Sequence, residues 1–329
     1  MAASSRSVVG SADTPQPLNT PADGPGAGSR FDQIVASANL LRAWRDVRAN
    51  RGAAGADEVT LARFERRLEL NLANLAETVR DGSYRPGKVR HVRILCRGKA
   101  RRLSILSVAD RVLQRAALNV LEPAFDRTFL PRSYGYRPRR SLAGAVRRIV
   151  TLRDQGYRRV VDADIKDCFP NVDHQILLSL LERRIDDGRV LALFRQWVAL
   201  DATVRDGRAK GISLGAIVSP LLCNVYLHSL DRALARHHLE SVRYADDFVV
   251  LCEGESRQQF AFEVAEKHLR ALRLELNLRK TCLTDFDAGF TFLGVTFRGD
   301  ECHYDVVDRH VVFERPPDGW MAVVPDGYA

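Results

Sequence analysis

The chain is poor in every feature that would make it a membrane-spanning, secreted or zinc-scaffolded protein. Its 329 residues hold no apolar run near the ~20 residues that span a bilayer. The opening residues, MAASSRSVVG, lack the apolar core of a secretory signal, so a cytoplasmic location is expected. Six cysteines (Cys96, Cys168, Cys223, Cys252, Cys282 and Cys302) form no CxxC pair. That argues against a zinc site or disulfide framework and for buried, reduced thiols.

What is present is a core and a lopsided charge. Hydrophobic residues make up 46% of the chain and charged residues 28%, which suits one large domain or two smaller ones. The formal net charge is +9, yet residues 80–159 alone carry 21 Arg and Lys against 5 Asp and Glu, or +16, leaving −7 for the rest. A basic block beside an acidic remainder suggests a polyanion-binding surface next to a cation-holding site; the alternative is that the arginine-rich helices are solvated faces.

Residues 1–30 are rich in Ser, Ala, Pro and Gly, without apolar period, and are expected to be a disordered tail. Helical spacing begins near Phe31 (Ile34, Leu40, Leu41, Trp44) and returns over Leu61–Val79. Val89–Leu95 alternates as a strand before the basic turn Arg97-Gly98-Lys99, and Val108–Leu121 reads as a helix ended by Glu122-Pro123. The second half mixes the periods: strand Arg159–Ile165, a helix from Asp173, a helix over Val218–Leu234, strand–turn–strand over Arg243–Cys252, a helix over Gln258–Leu274 and a last strand, Phe290–Phe297. Strand–helix–strand–strand–helix–strand is the split βαβ, ferredoxin-like order.

In that order the first strand lies beside the central hairpin, so Asp164, at a strand end, is expected to face Asp246 in Tyr244-Ala245-Asp246-Asp247. Taken alone, an Asp-Asp hairpin is an ordinary turn. With a third acidic strand end beside it, the oxygen-rich set suits Mg²⁺, and two such ions about 4 Å apart clamp a phosphoryl transfer. Asp162 and Asp167 are read as solvated or structural.

The blocks around these residues resemble reverse transcriptases, those of group II introns and their bacterial relatives above all. Residues 98–140 (GKARRL, DRVLQ, LEP, SYGYRP) resemble the family's fingers block. DADIKDCFPNVDH at 162–174, GISLGAIVSPLLCNVYL at 211–227, YADD at 244–247, LNLRKT at 276–281 and FLG at 292–294 resemble its palm blocks, in order. The resemblance implies an α+β polymerase right hand: a disordered tail over 1–30, basic helix-rich fingers over 31–155, a ferredoxin-like antiparallel palm over 156–298, and a short extension over 299–329, with the thumb short or absent. It implies an RNA-directed DNA polymerase that adds dNTPs to a primer 3′-hydroxyl. Two Mg²⁺ ions would be held by Asp164, Asp246 and Asp247, with Ile165 in the metal set.

By the same likeness Phe169 is a steric gate against the ribose 2′-hydroxyl, or else ordinary core. Arg101 and Lys99 reach the incoming triphosphate or track template phosphate. Lys280 protonates or neutralises the departing pyrophosphate, or is a solvated lysine. Gly215, Ser219 and Pro220 support the nucleotide, and Tyr244 packs beside the primer terminus or in the core. The partners implied are an RNA template, a DNA or RNA primer and dNTPs, with no membrane.

Three features depart from the pattern. Leu214 stands where intron enzymes usually have Gln, and Ser219-Pro220 differs from the Ser-Gln of diversity-generating retroelements. Little chain follows the FLG block, which resembles reverse transcriptases linked to CRISPR adaptation beside a Cas1–Cas2 integrase. An intron RNA is the other partner the likeness suggests. The alternative function is an RNA-binding or maturase-type module with little synthesis.

Overall fold

The structure, a computed structural model, describes residues 28–96, 99–306 and 309–315. The expected tail over 1–30 lies outside them except for its last three residues, where Ser29 already caps the first helix by accepting from the Asp32 amide. The amino-terminal part is helical, with α1 (Arg30–Ile34), α2 (Ser37–Ala49), α3 (Leu61–Glu65) and α4 (Leu68–Arg80). The single helix expected over 61–79 is therefore two. Phe64 stacks on Trp44 at 5.2 Å, while Leu72, Leu75 and Val79 bury a second face, and the chain bends at Arg67 to serve both.

Next come the hairpin β1 (Arg90–Cys96) and β2 (Lys99–Ile105), then α5 (Val108–Asp126) and α6 (Leu142–Asp154). The expected stop at Glu122-Pro123 is overridden, because α5 runs through Pro123 to Asp126. Proline forfeits one hydrogen bond there, and burial of Ala124 and Phe125 in the final turn offsets it.

The remaining elements begin with β3 (Arg159–Asp164), α7 (Cys168–Asn171), α8 (His174–Glu182), α9 (Gly188–Ala199), β4 (Thr203–Arg205) and β5 (Arg208–Lys210). They continue with α10 (Ser219–Arg236), β6 (Glu240–Tyr244), β7 (Asp247–Cys252), α11 (Glu255–Ala271) and β8 (Cys282–Asp285). The antiparallel palm sheet has the order β6-β7-β3-β8, the ferredoxin-like arrangement. Both its faces are covered, which is why β7 reads Phe-Val-Val-Leu-Cys without polar alternation. Val161, Ala163, Phe248 and Val250 enter one core with α8–α11, while Val160, Val249 and Leu251 enter a second with α6.

The fourth palm strand is Cys282–Asp285, not the 290–297 segment the apolar run suggested. That segment folds back on itself as β9 (Phe290–Phe292) and β10 (Val295–Arg298), turning at Leu293 and Gly294, both with positive φ. β10 pairs with β11 (Glu301–Val306), and β11 with β12 (Arg309–Phe313), in a separate sheet pinned to the palm by Phe286 against Phe290 and Phe297. Among the described residues no helix is long and apolar enough to cross a membrane. Of the cysteines whose side chains are described, Cys282 is exposed, against the expectation of burial, because it sits on the edge strand β8.

The continuation of α5 is tested by Phe125→Ala. Chemical denaturation should show a loss of about 3–5 kcal/mol; a change below 1 kcal/mol would place Phe125 outside the core.

Candidate active site at the palm strand ends

Register decides which carboxylates meet. Tyr244 pairs with Asp247 across β6 and β7, so Ala245 and Asp246 form a two-residue turn, and Ala245 adopts φ 58°. On the other side of β7, Asp164 pairs with Asp247. The residue facing Asp164 is thus Asp247 rather than Asp246, which sits at the turn.

The turn is held from beneath by Arg243. This guanidinium is 1% exposed, yet its five N–H donors are all used. Nε and Nη2 bind the two carboxylate oxygens of Asp231 on α10 at 2.7 and 2.6 Å. Nη2 also reaches Ser133 Oγ at 2.8 Å, and Nη1 reaches Asn224 Oδ1 at 3.0 Å and the Ala245 carbonyl at 2.8 Å. Burial works against the cation, but Asp231 outweighs it and holds the Arg243 pKa above its usual range. The loop before α6 joins the same structure. Arg243 N–H donates to the Arg132 carbonyl at 2.9 Å, and Tyr134 N–H donates to the Arg243 carbonyl at 2.8 Å. Gly135, whose carbonyl accepts from Asn224, lies so close that a Cβ would stand 2.3 Å from the Ala245 nitrogen.

The carboxylates feel one another. Burial first, then Asp246, Asp164 and Asp162, push Asp247 up to about 6, against the pull of Lys280. Burial and Asp164 raise Asp162 likewise to about 6. Asp246 is raised mainly by burial, with Arg101 and Arg243 opposing. Asp164 is held by the loop after α11: Lys280 Nζ lies 2.6 Å from Oδ1, Asn277 Nδ2 3.1 Å from Oδ2, and Asn277 N–H donates to the Asp164 carbonyl. The Asp164 contact raises the Lys280 pKa. Among the described residues no three His, Cys, Asp or Glu side chains converge as a formed metal cluster.

The other expected residues fall as follows. Arg101 is exposed on β2 and close enough to lower the Asp246 pKa. Lys99 begins β2, and its side chain lies outside the described residues, as does Gly98. Phe169, on α7 just after β3, is half-buried with its side chain against the main core, so the core-packing alternative describes part of it. Gly215 adopts φ 108°, and a Cβ there would meet the Ser104 carbonyl oxygen at 2.6 Å, so glycine is required. Ser219 and Pro220 open α10, and Ser219 is buried. Tyr244 packs against the second core. Ile165 is buried and bridges to Leu276. Leu214 gives its carbonyl to the Ser104 amide at 2.7 Å.

Sequence reasoning missed Arg243, Asp231 and Asn224. The available signal was a charge at an inward position of a strand (Val242-Arg243) and another on the apolar stripe of α10 (Leu227, Leu230, Asp231, Leu234), since charges buried at such positions require partners.

An antiparallel ferredoxin-like sheet with acidic strand ends, next to a basic hairpin, defines the palm and fingers of a template-directed nucleotide polymerase. The chain belongs to the reverse transcriptase (RNA-dependent DNA polymerase) family, whose model matches residues 87–297, more than half its length. It is an RNA-directed DNA polymerase, a nucleotidyltransferase of the group II intron-like bacterial kind. It is 30% identical to Protein YkfC of Escherichia coli K12, over 78% of this chain and 79% of that one. It is 29% identical to the group II intron-encoded protein LtrA of Lactococcus lactis, over 72% of this chain but only 38% of LtrA. Among solved structures it resembles a chain of a partial Cas6-RT-Cas1–Cas2 complex (26% identity, TM-score 0.46, covering 75% of this chain and 42% of that one). It also shares the fold of telomerase from Candida albicans (12% identity, TM-score 0.51, covering 69% and 49%).

Gly135→Ala should misplace the turn that carries Asp246 without unfolding the chain. Primer extension should fall on the order of 10²-fold while the circular dichroism spectrum is kept; an unchanged rate would show that the turn does not lean on Gly135.

Proposed function

We propose that this polymerase extends a primer on an RNA template using two Mg²⁺ ions held by Asp164, Asp246 and Asp247, with Ile165 beside them. The observation that carries this reading is the crowding of carboxylates at the ends of β3 and the β6–β7 turn, where burial and mutual repulsion push Asp247 up to about 6. Hard carboxylate oxygens in that arrangement fit a hard divalent cation. Such cations, when bound, activate the primer 3′-hydroxyl and offset the charge that develops on the phosphate.

The chain's own residues supply the rest. Arg101, exposed beside Asp246, takes the triphosphate with Lys99. Lys280 keeps a proton on Nζ, raised by the bond to Asp164, and delivers charge or that proton to the departing pyrophosphate. Phe169 presents its free edge to the sugar and excludes a 2′-hydroxyl. Gly215, Ser219 and Pro220 bring backbone and the start of α10 to the nucleotide, and Tyr244 flanks the primer end. The basic surface over 80–159 follows template and primer phosphates. A cytoplasmic location completes the reading. The partners proposed are RNA template, primer and dNTPs. A binding module with little synthesis finds no supporting observation.

Primer extension on an RNA template tests this. Asp246→Ala, or removal of divalent cations with EDTA, should abolish incorporation, and extension surviving Asp246→Ala would overturn the metal assignment. Phe169→Val should increase ribonucleotide incorporation; unchanged sugar selectivity would remove the gate. Lys280→Ala should lower kcat on the order of 10²-fold, and a wild-type kcat would remove its role at the pyrophosphate.

A further inference from the structure

The hairpin β1–β2 carries Arg101 and projects from the fingers, with Leu95 82% exposed near its tip. Its base is fastened on two sides. On one side, the Ser104 amide donates to the Leu214 carbonyl at 2.7 Å, next to the Gly215 turn. Leu103 packs there too, with its Cδ1 2.8 Å from where a Gly215 Cβ would stand. On the other side lies Asp201, just past the end of α9, whose carboxylate is 11% exposed.

Asp201 binds both strands at one rung. His91 and Ser104 are direct cross-strand partners. The Ser104 hydroxyl donates to Asp201 Oδ2. His91 Nε2, which also lies 2.8 Å from Arg102 Nη2, stands 2.6 Å from Oδ1 and donates to it in the tautomer that carries its proton there. Arg102 Nη2 approaches Oδ1 at 3.4 Å. Burial would raise the Asp201 pKa, but the bonds from Ser104 and His91, with Ser213 nearby, hold it below the ordinary carboxylate range. The carboxylate therefore stays charged and keeps its donors at neutral pH.

The alternation of side chains gives this clamp its consequence. On β2, Arg102 and Ser104 point toward Asp201, so Arg101 and Leu103 point the other way, toward the Gly215 turn and Asp246. Gripping one face of the strand fixes the direction of the other.

We infer that Asp201 is a positioning residue: by clamping His91 and Ser104 at one rung of the fingers hairpin, it holds Arg101 over the palm, where Arg101 meets the incoming triphosphate. The inference rests on the triphosphate role proposed above for Arg101. Loss of the clamp leaves the carboxylates of the turn untouched but lets the β2 strand swing, so the effect belongs to dNTP binding rather than to chemistry.

The test is steady-state primer extension with a double-mutant cycle on Asp201→Ala and Arg101→Ala. Asp201→Ala should raise KM for dNTP about tenfold or more, with kcat, RNA affinity and melting temperature close to wild type. In the Arg101→Ala background it should add nothing. Asp201→Asn, which keeps one acceptor but turns an amide toward Arg102 and His91, should fall between. If Asp201→Ala perturbs folding, Ser104→Ala with His91→Ala removes the same grip from the hairpin side and should give the same KM increase. A raised dNTP KM in Arg101→Ala beside an unchanged one in Asp201→Ala, or effects that add in the double variant, would overturn the clamp alone. An unchanged dNTP KM in Arg101→Ala would overturn the triphosphate reading and the clamp with it.

Discussion

The buried pair of Arg243 and Asp231 is the interaction on which the site depends. It joins α10 to β6, and through Ser133, Asn224 and the Ala245 carbonyl it joins both to the loop before α6 and to the turn that carries Asp246. Burying a guanidinium is costly unless every donor is met, and here every donor is. Removing either charge leaves the other stranded, at a cost of about 3–5 kcal/mol. A hydrophobic pair of the same volume would be no less stable, but it would not aim three hydrogen bonds at the Asp246 turn and its neighbours. The arrangement trades some desolvation for a fixed geometry.

That geometry is strained around the candidate site. Ala245, Tyr136 and Asp167 hold φ of 58°, 57° and 45°, and all three lie around the strand ends that present Asp164, Asp246 and Asp247. Left-handed backbone at non-glycine residues costs about 1–3 kcal/mol each. The cross-links through Arg243, the glycine contact at 135 and the loop tied to Asp164 by Asn277 and Lys280 oppose relaxation. Repulsion among the carboxylates adds to the same load, and the divalent cations proposed for the site would relieve it.

Much of this was readable in the amino-acid order. The helix over 219–236 and the paired strands around Asp246 announce themselves by period, and the three carboxylates stand out once the blocks around them are taken together. Three errors share one cause, tertiary packing. Phe125 carries α5 through Pro123, Trp44 and Phe64 split the 61–80 stretch, and Phe286 draws 290–298 into a hairpin of its own. The pairing of Asp164 with Asp247 was missed by one residue because turn length, not composition, sets register. Arg243 and Asp201 were missed for a different reason. Each is defined by partners up to 110 residues away in the chain, such as Ser133 for Arg243 and His91 for Asp201, and a lone charge in sequence does not show whom it meets.

The turn that carries Asp246 is set by the shape of the Arg243 guanidinium and not by its charge alone. Arg243→Lys measures that directly, because lysine keeps the charge opposite Asp231 but cannot reach Asn224, Ser133 and the Ala245 carbonyl at once. Single-turnover primer extension on an RNA template, with the fold checked by circular dichroism, should show a folded chain whose incorporation rate is reduced by about 10²-fold. A folded variant that extends the primer at the wild-type rate would contradict the account.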